Sequence, residues 1–281
     1  MNNYKMIVTD MDGTVLGTDN NITEDNKIAL KKAEDMGIKV VFATGRFHES
    51  AKVHIDFLEE KMPIISSNGS IIKNPITDEV LYCNSIAQDK CIQIIDILDK
   101  YHLKYQIYTD EIVLQKYDTE EEKQIIIDFI KKVFSDKCEI IFKKDLKESI
   151  KNKNILKFNL MELDRVELID TVRKDLNKID GVEITSSWKN NLEIMAEGST
   201  KGKAVEFLSN LLNINMEEIV AFGDNYNDVS MIEVVGTGVA MGNAEEGVKN
   251  IADYVTDTNS ESGVAKTIDN LVFKSLLEYN N

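Results

Sequence analysis

The sequence predicts an α/β fold: a doubly wound, Rossmann-like parallel sheet interrupted by an inserted α+β domain. Apolar runs of strand length alternate with helical stretches in residues 1–84 and again in residues 191–281. Such alternation favours a parallel sheet with right-handed crossovers. Residues 85–190 instead mix helical segments with strands whose polar and apolar side chains alternate, which is typical of an α+β domain.

The N-terminal part of the sheet is expected from three short apolar runs. They are Lys5–Asp10, Ile38–Ala43 and Pro63–Ser67. The first helix should begin after Thr23, a good N-cap residue, and stop at Gly37, which tolerates a left-handed backbone. A second helix is expected over Phe47–Glu60, and Asn68-Gly69 should turn the chain after the third strand.

The alternation of predicted strands and helices resumes after the insert. A helix is expected over Lys201–Leu212, and strands over Ile219–Phe222, Gly238–Met241 and Tyr254–Thr256, before lysine-containing helical segments close the chain. Within the insert the predicted elements are helices at Gln88–Tyr101, Glu120–Phe134 and Asp164–Ile179, and strands at Lys104–Tyr108, Ile112–Lys116 and Lys157–Met161. The two joins, near Asn84 and near residues 188–191, are expected to act as hinges.

Composition narrows the class of protein. The 281 residues suit about two domains. The net charge of −16 argues against binding to a nucleic-acid backbone, and an anionic substrate would need locally placed cations. The N-terminal residues lack a secretory signal and no stretch has the length of a membrane span. Three cysteines without a CxxC pair indicate a reduced, cytoplasmic protein. Oligomeric state is left open.

Reactive side chains follow the predicted strand ends, where doubly wound sheets bind their ligands. They are Asp10 and Asp12 after the first strand, Thr44-Gly45-Arg46 after the second, Lys201 at a helix start, and Asp224, Asn227 and Asp228 after Ile219–Phe222. Carboxylates are ligands for Mg²⁺, and hydroxyl, lysine and helix-start amide groups bind phosphate. The set predicts a magnesium and phosphate site.

These motifs resemble those of the haloacid dehalogenase (HAD) superfamily. The resemblance rests on Asp10-x-Asp12-Gly13-Thr14, Thr44-Gly45-Arg46, Lys201-Gly202 and Gly223-Asp224-x-x-Asn227-Asp228, in the family's order. The insert between the second and third motifs resembles the C2B cap of type IIB, or Cof-like, sugar-phosphate phosphatases. Ser262 precedes Gly263 where an acidic residue is common, a small departure from the family pattern.

The resemblance implies a role for each residue. Asp10 would attack phosphorus, and Asp12 would protonate the leaving alcohol and then activate water. Mg²⁺ would be held by the Asp10 carboxylate, the Asp12 main-chain carbonyl and Asp224, with Asp228 supporting the metal waters and Lys201. Phosphoryl oxygens would be bound by Thr44, Gly45, Lys201 and Asn227. Arg46 and Asn68 are further candidates for substrate contact.

Simpler interpretations stand beside these roles. Asp10 and Asp12 could form an ordinary Asp-Gly turn, and Asn68-Gly69 could be a turn without a role in the site. Lys203 is an alternative to Lys201 as the phosphate-binding lysine. At the level of function, the leading hypothesis is a Mg²⁺-dependent phosphatase of sugar phosphates and similar metabolites. A phosphotransferase or phosphosugar mutase, and a non-catalytic sensor of phosphorylated ligands, are the alternatives.

Overall fold

A computed structural model describes residues 4–133, 139–162, 165–186 and 190–273 of the chain. Its strands in chain order are β1 (Met6–Thr9), β2 (Lys39–Phe42), β3 (Ile64–Ser66), β4 (Ile71–Lys73), β5 (Val80–Cys83), β6 (Tyr105–Thr109), β7 (Val113–Lys116), β8 (Ile140–Lys143), β9 (Ile155–Met161), β10 (Val182–Thr185), β11 (Asn191–Ala196), β12 (Ile219–Gly223), β13 (Thr237–Ala240) and β14 (Tyr254–Val255).

The α-helices are fewer and mostly short. They are α1 (Glu24–Asp35), α2 (His48–Lys52), α3 (Gln88–Lys100), α4 (Glu120–Val133), α5 (Leu168–Leu176), α6 (Lys201–Leu212), α7 (Val229–Val234), α8 (Glu246–Lys249) and α9 (Gly263–Thr267). Within the described ranges, no helix combines the length and apolar character needed to cross a membrane.

A five-stranded sheet, in the order β14-β13-β12-β1-β2, confirms the predicted Rossmann-like core. All its pairings are parallel, and Thr9 at the end of β1 lies opposite Phe42 on β2 and Phe222 on β12. β1 is buried along its whole length, which explains its continuous apolar sequence. Because the three strands end in register, the residues that follow them leave the sheet at one edge.

The first helix matches its prediction and the second does not. Thr23 Oγ1 accepts a hydrogen bond from the Asn26 amide at 3.3 Å, and α1 is followed by Gly37 in the left-handed region at φ 83°. The predicted helix Phe47–Glu60 is wrong, because α2 ends at Lys52. The chain then continues through turns whose amides bond three residues back, as in the bond from the Leu58 amide to the Ile55 carbonyl at 3.1 Å.

The inserted α+β domain is confirmed as a six-stranded sheet in the order β10-β11-β9-β6-β7-β8. Its pairings are antiparallel except for β7 with β8. Side chains of α3 and α5 pack with those of the sheet in one apolar cluster. Sequence analysis predicted β6, β7 and β9, and it missed β8, β10 and β11.

Contacts between residues divide the chain into two compact units. One contains Met1–Leu81 and Thr200–Asn281, and the other contains Tyr82–Ser199. The division differs from the predicted boundary at 190/191 because β11 pairs with β9. The two ends of the second unit meet, since Asn84 Nδ2 donates to Ser199 Oγ at 3.0 Å. The predicted domain limits stay a prediction, and residues 188 and 189 of the second join lie outside the described residues.

Candidate active site

A fully buried lysine joins two aspartates at the carboxyl edge of the parallel sheet. Lys201 Nζ lies 2.5 Å from Asp10 Oδ1 and 2.6 Å from Asp228 Oδ1. Asp10 directly follows β1, and its amide donates to the Phe222 carbonyl at 2.9 Å, which holds it at the end of the sheet. Charges removed from water need close partners of opposite sign. The structure therefore brings three of the predicted site residues into one ionic group.

Burial sets the protonation chemistry of this group. It raises the pKa of the Asp10 carboxyl well above its ordinary value, although the Lys201 ammonium acts in the opposite direction. For Lys201, burial alone would lower the pKa, but the carboxylates of Asp10 and Asp228 raise it above its usual value. The lysine is thus a fixed cation beside a carboxylate that is costly to ionise.

Lys201 owes its position to the start of α6. Thr200 caps the helix, with its Oγ1 accepting from the Lys203 amide at 3.3 Å. Gly202 follows, and a Cβ there would come within 2.3 Å of the Ser230 carbonyl oxygen, so glycine allows the helix to pack against α7. Lys203 is exposed. Of the two lysines that the sequence offered, Lys201 is the one that contacts Asp10.

Asp228 uses both of its oxygens within the protein. While Oδ1 accepts from Lys201, Oδ2 accepts from the amides of Asp224 and Asn225, at 2.9 and 3.0 Å. The carboxylate thereby shapes the loop after β12. With all these donors in place, Asp228 is suited to the supporting role that the family resemblance implies for it.

Asp224 lies beside the turn that follows β1. Its Oδ1 accepts from Thr14 Oγ1 at 2.9 Å. Gly13 adopts φ 78°, and a Cβ on it would come within 2.4 Å of Asp224 Oδ2. Burial raises the pKa of the Asp224 carboxyl to about 7, and the neighbouring Asp228 carboxylate adds to the rise. The aspartate is therefore packed tightly and poorly solvated.

Three carboxylates converge in a way that fits a cation. Asp10, Asp224 and Asp228 each offer an oxygen within 4.8 Å of the others. Hard cations such as Mg²⁺ take oxygen ligands, and one or two carboxylates are usual. A cation would also favour the ionised forms of Asp10 and Asp224, which burial disfavours. The Asp12 carboxylate is not part of this group.

A second group of candidate ligands is already balanced by lysines. His48, Glu49 and Asp78 lie within the same distance limit. However, Lys73 Nζ is 3.8 Å from Glu49 and 3.7 Å from Asp78, and Lys52 pairs with Asp78 at 3.3 Å. We place no cation there, because the lysines already balance the charge of these carboxylates.

Magnesium is expected to stabilise the protein more at pH 8 than at pH 6. In the metal-free protein the Asp224 pKa of about 7 exceeds its unfolded value of about 3.9, so stability falls as pH rises between these values. A bound cation holds Asp224 ionised and removes this loss. Thermal melts with Mg²⁺ or with a chelator should differ by several degrees at pH 8. An equal difference at both pH values, or the same pH dependence in Asp224→Asn, would contradict this prediction.

Alanine at Gly13 is expected to weaken metal binding at least tenfold, because its Cβ would displace the Asp224 carboxylate. Gly37→Ala is the matched control. Gly37 also has a positive φ, 83°, but a Cβ there meets nothing within 4 Å. Both variants should lose about 1 kcal/mol of stability from backbone strain, while calorimetric Mg²⁺ titration should show weaker binding for Gly13→Ala alone. Equal affinities for the two variants would count against a metal at Asp224.

The candidate phosphate-binding residues are linked by hydrogen bonds. The main-chain amide of Asn68 donates to the Thr44 carbonyl at 3.0 Å. The Asn68 side chain accepts at Oδ1 from Asn227 Nδ2, also at 3.0 Å. Thr44 is buried, Gly45 is half-buried, and the Thr44 hydroxyl accepts from the Arg46 amide at 3.1 Å. Asn68 sits in the left-handed region at φ 58°, so it also forms the predicted turn. The structure thus places these residues on the same edge as Asp10.

Asp12 is held by Arg46. The guanidinium donates from Nε to Asp12 Oδ2 at 2.7 Å and from Nη2 to Asp12 Oδ1 at 2.5 Å. Arg46 Nη1 lies 2.9 Å from His54 Nε2. Both Asp12 oxygens accept hydrogen bonds here, whereas the acid role expected from the sequence needs one of them to carry a proton. Arg46, a candidate for substrate contact, therefore has a partner within the site.

Three residues with direct contacts to the site were given no role from the sequence. Thr14 holds Asp224, Asn243 Nδ2 donates to the Gly13 carbonyl at 2.8 Å, and His54 contacts Arg46. Thr14 belongs to the motif Asp10-x-Asp12-Gly13-Thr14, and Asn243 comes just after the predicted strand Gly238–Met241, so both positions had a signal in the sequence. No local pattern marked His54, because its contact depends on the path of the chain after α2.

A sequence model of haloacid dehalogenase-like hydrolases matches residues 7–268. The chain belongs to this family. It is 32% identical over 268 residues to the 5-amino-6-(5-phospho-D-ribitylamino)uracil phosphatase YcsE from Bacillus subtilis, covering 94% of both chains. The match spans the core motifs and the insert, so this HAD-type chain is similar to its relative over nearly its whole length.

Similar solved structures support the same family assignment. The hydrolase is similar to a haloacid dehalogenase-like hydrolase from B. subtilis, with a TM-score of 0.85, 28% identity and coverage of 95% of this chain and 100% of that one. It also resembles the HAD subclass IIB sugar phosphatase BT4131, with a TM-score of 0.78, 25% identity and coverage of 95% and 98%. The protein is a HAD-type phosphatase of the Cof-like, type IIB group with an inserted cap.

Proposed function

We propose that this phosphatase is a Mg²⁺-dependent, cytoplasmic hydrolase of small phosphorylated metabolites, with sugar phosphates as the leading class. The observation that carries the proposal is the buried Asp10, paired with Lys201 and within reach of Asp224. A carboxylate beside a fixed cation, with a place for a divalent ion, suits attack on a phosphate ester. Asp12, two residues on, supplies the acid that an alcohol leaving group needs.

In the proposed reaction Asp10 attacks phosphorus as the bond to the ester oxygen breaks. Asp12 gives its proton to that oxygen, and the alcohol leaves. The product is an aspartyl-phosphate on Asp10. Asp12, now ionised, takes a proton from a water molecule that attacks phosphorus, and inorganic phosphate and the Asp10 carboxylate are released. One residue thus serves as acid and then as base, and the cycle closes with both aspartates restored.

The ligands proposed for Mg²⁺ are the Asp10 and Asp224 carboxylates and the Asp12 main-chain carbonyl. The oxygen-only donor set and the cost of ionising both buried aspartates support this ion. When bound, the cation would neutralise charge on the phosphoryl oxygens. Asp228 keeps Lys201 and the Asp224 loop in place, as the three hydrogen bonds that its carboxylate accepts suggest.

The phosphoryl oxygens are assigned to Thr44, the Gly45 amide, Lys201 and Asn227. Lys201 is a permanent cation, and the others offer neutral donors on the same edge of the sheet. Asn68 orients Asn227 and is a further candidate for substrate contact. Preorganised donors of this kind lower the barrier because they need no rearrangement as charge develops.

The inserted unit, Tyr82–Ser199, is proposed to be the cap that selects the substrate. Loops that close over a site exclude water and can set specificity. The relatives' names cover a phosphorylated ribitylamino compound and a sugar phosphatase, and both support a phosphorylated polyol or sugar. We assign the choice of metabolite to side chains of the inserted unit.

A phosphate-release panel tests this proposal. Purified protein with Mg²⁺ should hydrolyse 4-nitrophenyl phosphate and at least one sugar phosphate, and chelation should abolish both activities. Inert wild-type protein across a broad panel of phosphorylated metabolites would reject the phosphatase. An isomerised sugar phosphate without free phosphate would instead indicate a mutase. Tight ligand binding without turnover, unchanged in Asp12→Ala, would indicate a sensor.

A further inference from the structure

The contact between Arg46 and His54 has a defined direction. A guanidinium carries only hydrogen-bond donors, so His54 Nε2 must be the acceptor at 2.9 Å from Arg46 Nη1. An imidazole that accepts at Nε2 carries its proton on Nδ1 and is neutral. Arg46 is therefore held from two sides: by the two oxygens of Asp12 and by the lone pair of His54.

The short helix α2 makes this contact. Arg46 lies just before α2, and His54 lies just after it, in a turn where the His54 amide donates to the Ala51 carbonyl at 3.1 Å. Because α2 ends at Lys52, the chain is free to bring the imidazole back to the guanidinium. The early end of α2 therefore allows His54 to contact Arg46, although the two residues are eight positions apart.

We propose that His54 is a positioning residue of this phosphatase, which fixes Arg46 and through it the Asp12 carboxyl. The inference rests on the proposed function, because it uses the acid and base roles of Asp12. The Asp12 side chain is 50% exposed, whereas the Arg46 side chain is 19% exposed. The better buried guanidinium orients the half-exposed carboxyl, and His54 fixes the guanidinium. When Asp12 takes up the proton for its acid role, one oxygen carries the proton and the other keeps its hydrogen bond to Arg46.

The orientation of Asp12 matters most for substrates with poor leaving groups. Proton transfer requires hydrogen-bond distance between the acid and the leaving oxygen, and a positioned acid contributes about 10²–10⁴-fold. A sugar alkoxide cannot leave without that proton, whereas the acidic 4-nitrophenol leaves without it. Loss of the anchor should therefore lower kcat/KM for a sugar phosphate and spare kcat/KM for 4-nitrophenyl phosphate.

The test compares His54→Leu, which cannot accept a hydrogen bond, with His54→Gln, which can. His54→Leu should lower kcat/KM for the best sugar phosphate about 10- to 100-fold. Its effect on 4-nitrophenyl phosphate should stay below about threefold. His54→Gln should restore most of the loss, and the exposed His102→Asn serves as a control for removal of a histidine.

A double-mutant cycle shows whether the effect passes through Arg46. If it does, His54→Leu should change kcat/KM by less than about twofold in an Arg46→Ala background. The proposal is overturned by an equal loss on both substrates, by no rescue in His54→Gln, or by a full loss in that background. Failure of the proposed function can be distinguished from these outcomes, because the wild-type protein would then be as inert as Asp10→Asn.

Discussion

Asp10→Asn is expected to lower kcat for phosphate-ester hydrolysis by at least about 10⁴-fold. The amide keeps the shape of the side chain beside Lys201 but is too weak a nucleophile to attack phosphorus. Burial already disfavours the charged form of Asp10, so the fold should tolerate the neutral amide. Steady-state assays with 4-nitrophenyl phosphate and Mg²⁺ measure the loss, and circular dichroism checks the fold.

The covalent step can be observed directly. Acid quenching of Asp12→Ala with radiolabelled 4-nitrophenyl phosphate should trap label on the protein, because the good leaving group needs no acid but the second step lacks its base. No label should be trapped on Asp10→Asn. Asp253→Asn is the control, since this carboxylate of the same unit accepts from the Gly238 amide at 2.8 Å, away from the candidate site. Retention of more than about 1% activity in Asp10→Asn would exclude Asp10 as the nucleophile.

Lys201→Met is expected to cost about 3–5 kcal/mol of folding free energy at pH 8, because it leaves two buried carboxylates without their cation. The loss should be smaller at pH 5. Burial already raises the Asp10 pKa, and loss of the opposing Lys201 ammonium should raise it further, so the folded state binds more protons and stability falls with rising pH. Urea unfolding in chelator at both pH values measures the effect.

The same helix provides the control for this experiment. Lys203→Met makes the identical change two residues away, on an exposed side chain, and should alter stability by less than about 0.5 kcal/mol. It should also keep its phosphatase activity, while Lys201→Met should lose most of it. Similar losses of stability in both variants, or a loss in Lys201→Met that grows toward pH 5, would contradict the ionic group described at the sheet edge.

Much of the site could be predicted because its residues follow the ends of neighbouring parallel strands. Parallel strands in register end at one edge, so Asp10, Thr44 and Asp224 could be brought together from strand ends alone. Lys201 followed from its helix start, and a capping residue and a glycine set the limits of α1. These predictions rest on local patterns whose geometry is the same in every sheet of this kind.

Other parts depend on contacts that have no local pattern. The helix predicted through Glu60 ends at Lys52, since apolar spacing alone does not distinguish a helix from successive turns that bury the same side chains. The salt bridge from Arg46 to Asp12, and the contact from His54, join residues whose side-chain directions emerge only in the folded chain. Edge strands β8 and β10 were missed because their side chains are only partly buried.

The balance of charge at the sheet edge has a kinetic consequence. Among the residues that the structure describes, the carboxylates of Asp10, Asp12, Asp224 and Asp228 are paired there with two cationic side chains, Lys201 and Arg46. An incoming phosphate dianion is repelled by such an excess until a divalent ion offsets it. We therefore expect compulsory order of addition, with the cation first, so that chelator should abolish substrate capture as well as turnover.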